Sequence, residues 1–473
     1  MVLKRPSLGS TEKTRNMTRD WIGIQIAPIS FVDEGVESVL DILQERAAVN
    51  VLVLMPLSWL SSVGGRSTLP CVQHGIPGPF HPAGGAFWDP DPRYYQGTSL
   101  KHFRSPEPLL ADFDALGDVI PVARARGMKI YAYNWEITRR FPHPGNVPGF
   151  GQVLEVDARG RRSSAPCFNN PDYRAWVLGI ANEWCQRYDV DGVMWGIERQ
   201  GPLMGSILYD HVPVCFCAHC RRKGTQLGID IERARKGYLR LHAYLEGLRG
   251  REEPRDGCFV TFLRVLFEHP EMLQWEKLWF ESQKALYRDI YGLVKFLDAG
   301  KQLGLGLLQW ISSFNPYLLA RHDYSELRGV CDWVKPVLYH VPAGARFKSV
   351  VEELWQTILR GLSLETCVEA LYGILDLDEA PHSQLVSKGF SADYVRDRTA
   401  KLSGVLQGEA KVYPGIGISL PSPDRCVHPN DMREAVRAAY AGGADGILLA
   451  RNYAEATIEN LEAVGDVIRA RVA

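Results

Sequence analysis

No apolar run in this sequence reaches the ~18 residues that a membrane-spanning helix needs, so no segment is expected to cross a bilayer. Neither sign of charge is in excess. The 54 Lys and Arg face 55 Asp and Glu, which leaves no basic footprint for nucleic acid or an anionic membrane surface. Cysteine is sparse, ten in 473 residues, too few for a disulfide scaffold. Residues 1–20 form a polar N-terminal tail without the apolar stretch of about 7–15 residues that marks a secretory signal. The expected compartment is therefore the cytoplasm, with a trimmed leader still compatible. A Gly-rich phosphate turn is missing as well. The first apolar run, WIGIQIAP from Trp21, leads into PISFVDEG, which argues against an open dinucleotide-binding sheet.

Short apolar runs are abundant, and they alternate with helical stretches from end to end. Four come in the first half: WIGIQIAP from Trp21, NVLVLMPL from Asn50, MKIYAYNWE from Met128 and DGVMWGIE from Asp191. Four more follow: LGLGLLQW from Leu303, WVKPVLYH from Trp333, VYPGIGIS from Val412 and DGILLARNY from Asp445. Between them lie amphipathic segments such as EGVESVLDILQERA. Continuous apolar strands separated by helices indicate a parallel sheet covered on its outer face. Eight such repeats predict an α/β chain closed into a (β/α)8 TIM barrel with long βα-loops, spanning residues 21–473 as one domain. Large insertions are expected at about 58–115 and 200–300.

In this fold the reactive side chains project from the C-terminal ends of the strands. That rule selects Glu136, Glu198, Gln309, Trp310, Tyr339, His340, Arg451, Asn452 and Tyr453. Two carboxylates on neighbouring strands suit glycosidic bond cleavage. One protonates the leaving oxygen and the other attacks the anomeric carbon or activates water. Glu198 is expected as the acid and Glu136 as its partner, each weighed against an ordinary strand-end ion pair or loop cap. Trp88, Tyr95, Trp135 and Trp310 offer flat faces to sugar C–H groups, with Tyr339, His340 and Arg451 as polar contacts. Trp195 lies within its strand, where core packing is the plainer role. The dipeptide Asn182-Glu183 falls inside an amphipathic helix rather than at a strand end, and is set aside.

Three cysteines, Cys215, Cys217 and Cys220, fall within six residues as C-x-C-x2-C. Thiolates so spaced suit tetrahedral Zn²⁺ with one further ligand, open among Cys167, Cys185, Cys258, His211 and His219; free thiols are the plain alternative. CFNNPDYRAWVLGIANEWCQRY, a strand ending in Glu, and then CFCAHCRRKG resemble part of the family 42 glycoside hydrolases, the β-galactosidases. The resemblance covers about 55 residues. It implies Cys167, Cys215, Cys217 and Cys220 as ligands of a structural, non-catalytic zinc and Glu198 as the acid/base. More broadly the chain looks like a glycoside-hydrolase-like barrel. It departs from family 42 in two places. Glu198 follows Ile rather than Asn, and the seventh run offers Ser419 and later Asp424 where that family's nucleophilic Glu ends the strand.

The expectation is thus a glycoside hydrolase acting on a glycoside or oligosaccharide, with a carbohydrate partner, no nucleic acid and no membrane; a homo-oligomer is compatible with the chain. The rival is a carbohydrate-binding barrel without catalysis, motivated by the missing seventh-strand carboxylate. A sugar isomerase or lyase ranks below it, because no H-x-H or D-x-H metal motif ends a strand.

Overall fold

The computed structural model describes residues 20–58, 66, 74–76, 78, 80, 83–136 and 147–472. Each of the eight apolar runs forms a strand: β1 Trp21–Ile26, β2 Val51–Ser58, β3 Lys129–Asn134, β4 Gly192–Ile197, β5 Gln302–Leu307, β6 Trp333–Pro336, β7 in two pieces, Lys411–Val412 and Gly415–Gly417, and β8 Gly446–Ala450. All neighbours among these eight strands are parallel, a short strand Gly85–Ala86 adds antiparallel to the end of β2, and β8 pairs back with β1 through Trp21↔Gly446 to Ile24↔Leu449. Pro414, which has no amide proton to donate, divides β7. Its first piece pairs with β6, its second with β8, and a parallel bridge between Val337 and Gly415 completes the circuit. The expected α/β barrel is therefore the fold.

Both faces of these strands are buried, so their alternation sorts residues into an inner and an outer set. The outer set, including Ile24, Leu52, Ile130, Val193, Trp195, Leu305, Val334, Ile416 and Leu449, packs against the surrounding helices in one continuous core. The inner set is Trp21, Val51, Val53, Tyr131, Tyr133, Met194, Trp333, Tyr413 and Leu448. Aromatic rings fill the N-terminal half of the barrel: Trp21 stacks on Tyr413 at 4.1 Å and meets Trp333 at 5.5 Å. Glycines stand opposite these rings. A Cβ on Gly304 would lie 2.1 Å from the Trp333 ring, so only glycine fits there. The C-terminal half carries polar inner residues instead, and there the barrel opens.

After β4 the chain runs through helices Gly201–Tyr209, Ala218–Gln226, Ile231–Arg249 and Cys258–Glu268 before the 27-residue helix Glu271–Leu297. This last helix packs on β5 and on the helix Pro171–Arg187 that precedes β4. Among the described residues, no helix is long and apolar enough to cross a membrane.

Candidate active site

The strand parity that builds the core also decides what faces the barrel mouth. In β4, Met194 and Gly196 point inward, and Glu198 continues their line past the strand end. In β6, Trp333 is followed on the same face by Lys335, Val337 and Tyr339; in β1, Trp21 and Gly23 are followed by Gln25; in β3, Tyr131 is followed by Tyr133 and Trp135. Together with Trp310, Arg346 and Arg451 these side chains surround a cavity of about 200 Å³ at the C-terminal end of the barrel. Tyr209 and His211, from the segment after β4, form part of its wall.

Glu198 is the single carboxylate lining this cavity among the described residues, and it is 8% exposed. Its oxygens take no hydrogen bond from any described residue. Burial pushes its carboxyl up to about 8, against the opposing pull of Lys335 and Arg346 and with a push from Glu136. Gly196 makes room for this arrangement. A Cβ there would sit 3.1 Å from the Tyr133 hydroxyl and 3.3 Å from Glu198 Oε1. Lys335, itself 3% exposed, donates from Nζ to Gln25 Oε1 at 3.0 Å and to the Tyr339 hydroxyl at 3.1 Å. Arg346 lies over the rings of Tyr339 and Trp310, with its guanidinium carbon 5.1 and 5.5 Å from their centroids, and donates to Gln309 Oε1 at 3.0 Å. Arg451 donates through Nε to Glu455 Oε1 at 2.8 Å.

Several residues expected at this site lie elsewhere. Glu136 has the outer parity of Ile130, Ala132 and Asn134 and does not line the cavity. Its carboxylate points under the Glu271–Leu297 helix. There it accepts from the backbone N–H groups of Glu198 (3.0 Å) and Arg199 (3.2 Å) and from the Tyr287 hydroxyl (2.8 Å). Glu136 thus holds the backbone from which Glu198 projects. Glu136→Ala would strand those buried donors, and a loss of roughly 2–4 kcal/mol is expected in urea unfolding. A loss under ~0.5 kcal/mol would show that the network does not support the strand end.

Trp88 and Tyr95 are fully buried on the outer side of the barrel. Trp88 packs edge-on against Trp184 and Phe103. The Tyr95 hydroxyl donates to Glu183 Oε2 at 2.6 Å, which gives the set-aside helical Glu a structural partner. Such large rings gain more from burial against the Pro171–Arg187 helix than a loop can offer them at the mouth. His340 has the outer parity of Val334 and Leu338 and is buried near Asp431 and Arg425; burial pushes its imidazole down to about 4. Trp195 is also outward, so Tyr133, not Trp195, shares the cavity with Glu198. Trp135, Trp310, Tyr339 and Arg451 do line the cavity.

Lys335, Arg346, Gln25 and Tyr133 were not anticipated. Lys335 and Gln25 were legible, since each is a lone polar residue on the inner face of an otherwise apolar strand. Arg346 sits nearly two turns into the His340–Gln356 helix, where no sequence signal marks it.

About the cysteine cluster the structure is direct. The Sγ atoms of Cys167, Cys215, Cys217 and Cys220 lie within 4.8 Å of one another and can hold a metal ion. Cys167 Sγ is 3.5 Å from both Cys217 Sγ and Cys220 Sγ. Four sulfurs at ~2.3 Å from a tetrahedral Zn²⁺ would be ~3.8 Å apart, so the donor set fits. Asn169 donates to two of these sulfurs: its backbone N–H to Cys167 Sγ and its Nδ2 to Cys220 Sγ, both at 3.3 Å. Such outer hydrogen bonds orient thiolate ligands. The segment from Gly201 to Val214 leaves β4, supplies Tyr209 and His211 to the cavity wall and ends at Cys215. The cluster therefore anchors one wall of the cavity.

No protein-family model matches this sequence, and no curated protein matches it. Solved structures do. The chain superposes on the β-galactosidase of Rahnella sp. R3 with a TM-score of 0.52 at 14% identity, over 96% of this chain and 57% of that one. For the β-galactosidase of the haloarchaeon Halorubrum lacusprofundi the values are 0.51, 15%, 95% and 57%. For that of Bacillus circulans sp. alkalophilus they are 0.50, 13%, 95% and 55%. The chain spans a little over half the length of these enzymes. At such identities the likeness is one of fold: the (β/α)8 barrel on which these glycosidases are built.

Proposed function

We propose that this barrel hydrolyses a glycosidic bond, with Glu198 as the general acid. One observation carries the reading. Among the described residues the sole carboxylate lining the cavity is desolvated, so that its carboxyl is pushed up to about 8, and it accepts no hydrogen bond from any of them. A carboxyl that keeps its proton near neutral pH can give it to a leaving glycosidic oxygen. Trp135 and Trp310 supply flat faces for the sugar ring, and Gln25, Lys335 and Tyr339 supply hydrogen-bonding groups at the floor.

The opposite role falls to a second carboxylate in most glycosidases, though some use a Tyr nucleophile or the substrate itself. Here no second carboxylate lines the cavity among the described residues, and the internal stretches outside them contain no Asp or Glu. Glu136 is therefore not proposed in that role. Tyr339, whose hydroxyl accepts from Lys335 and whose ring lines the cavity, is proposed to attack or to position water. The metal at Cys167, Cys215, Cys217 and Cys220 is proposed to be zinc, held by four thiolates with no open position, structural and outside the chemistry.

The reading is tested by incubating the chain with aryl α- and β-glycosides and oligosaccharides and following sugar release. Release from at least one substrate, with an activity limb that falls as pH rises through about 8, is expected. The lone carboxylate also favours a second reading, a sugar-binding barrel without turnover. Binding of a sugar with no release from any substrate would select it.

The same carboxyl links stability to pH. Between its ordinary value of 4.5 and about 8, the folded chain holds a proton that the unfolded chain has released. Its contribution is thus complete at pH below 4.5 and is lost as pH rises through about 8. Glu198→Gln cannot ionise. Urea unfolding from pH 4.5 to 9 should therefore show the variant gaining on the wild type by a few kcal/mol, at about 1.4 kcal/mol per pH unit within that window. Parallel stability curves would contradict the raised value.

A further inference from the structure

The balance of charge in the cavity is uneven. Among the described residues four cations line it: Arg199, Lys335, Arg346 and Arg451. Two of them have their own carboxylates, Arg199 with Glu155 at 2.6 Å and Arg451 with Glu455. The other two do not. The hydrogen bonds of Lys335 go to Gln25 and Tyr339, and that of Arg346 goes to Gln309, all neutral oxygens. Among the described residues neither forms an ion pair. Among the described residues Glu198 is the one carboxylate that lines the cavity with them, and in the acid role it carries no charge; Glu455, which also acts on Arg346 at longer range, is already paired with Arg451.

Two desolvated cations without counter-ions are costly to hold in a folded chain, and that cost is offset when a ligand brings the anion. Their chemistry is specific. Arg346 lies over the rings of Trp310 and Tyr339, and its hydrogen bond to Gln309 engages Nη1. The rest of a planar guanidinium fork matches the two oxygens of a carboxylate better than a single hydroxyl. Lys335, on the floor beside Glu198, adds a compact positive charge. Trp310 provides a flat apolar face next to the fork.

We propose that the sugar accepted by this cavity is acidic, a carboxylate-bearing residue of the uronic acid class, with Arg346 gripping the carboxylate and Lys335 lending the second charge. This rests on the glycoside-processing reading above and narrows its substrate. It also separates the chain from the β-galactosidases whose fold it shares, which are named for a neutral sugar.

Calorimetric titration of the full chain carrying Glu198→Gln, at pH 7 and low salt, tests it with methyl glycosides of glucuronic and galacturonic acid, of glucose and galactose, and with glucose 6-sulfate. At least one uronide should bind at least about tenfold more tightly than its neutral counterpart, a margin expected of a charge-assisted pair. Added Arg346→Gln should remove that margin while leaving the circular-dichroism spectrum unchanged. Should that variant not fold, Lys335→Gln and a rise of salt to 0.5 M, each weakening uronide binding more than neutral-sugar binding, serve the same purpose. Neutral sugars binding as tightly as uronides would overturn the acidic substrate and leave the glycoside-processing reading standing. Tighter binding of the sulfate would overturn the carboxylate assignment. Failure of every sugar to bind would overturn the underlying reading and this inference with it.

Discussion

Glu198→Gln is expected to lower kcat/KM by about 10²–10⁴-fold, mostly through kcat, on whatever glycoside the wild type cleaves. The amide has nearly the shape of the carboxyl it replaces, and no described hydrogen bond to that side chain is lost. Binding should therefore survive while proton donation does not. The comparison that gives this result meaning is Glu136→Gln. Glu136 lies on the outer face of the sheet and meets the reaction only through the backbone it holds, so its variant should lose activity in step with stability. Its pH profile should keep an upper limb, moved to lower pH by loss of the push from Glu136, because Glu198 still titrates. An equal loss in both variants, with both upper limbs abolished, would mean that Glu136 reaches the reacting atoms after all. Aryl substrates with good leaving groups sharpen the test. They need little protonation, so Glu198→Gln should be less damaging on them than on alkyl glycosides.

The second large effect is expected at the cysteine cluster. The purified chain should contain one zinc per molecule by elemental analysis, and Cys217→Ser or prolonged chelation should release it. Structural zinc sites contribute folding energy outright, so the loss is expected to be several kcal/mol in chemical denaturation. Activity should fall with it. Tyr209 and His211 are carried on the segment that Cys215 anchors, and a freed segment would no longer wall the cavity. Cys185→Ser is the matched control. Cys185 is buried on the Pro171–Arg187 helix and is not part of the cluster, so its variant should retain the metal. A chain without metal whose stability is indifferent to Cys217→Ser would show that the four thiols are merely neighbours.

The barrel was legible because its strands announce themselves. WIGIQIAP, NVLVLMPL and their six counterparts are apolar on both faces, and only a sheet covered inside and out needs that. The cysteine quartet was legible in its three clustered members from spacing. Cys167, 48 residues before Cys215, came from resemblance alone, since nothing local marks a distant thiol as a ligand. The lining of the candidate site was read less well, and the reason is parity. In KIYAYNWE the inner residues are Tyr131, Tyr133 and Trp135, so Trp135 and Glu136 cannot both face the mouth. Applying the two-residue period past the strand end would have kept Trp135 and Glu198, rejected Glu136 and His340, and added Lys335 and Gln25. Trp88 and Tyr95 were misplaced for another reason. An aromatic-rich loop reads the same whether its rings meet a sugar or a helix, and here Trp184 and Glu183 of the Pro171–Arg187 helix claim them. Arg346 needed the tertiary structure, because only the fold brings the His340–Gln356 helix over Trp310.

The account turns on the protonation of one side chain, and that can be observed without knowing the substrate. Carbon-13 NMR of the chain labelled at the Glu carboxyl carbons, titrated in wild type and in Glu198→Gln, identifies the Glu198 resonance by its disappearance. The account predicts a midpoint near 8, well above the ordinary 4.5. A midpoint at 4.5 or below would leave Glu198 ionised at neutral pH and would contradict its role as the acid.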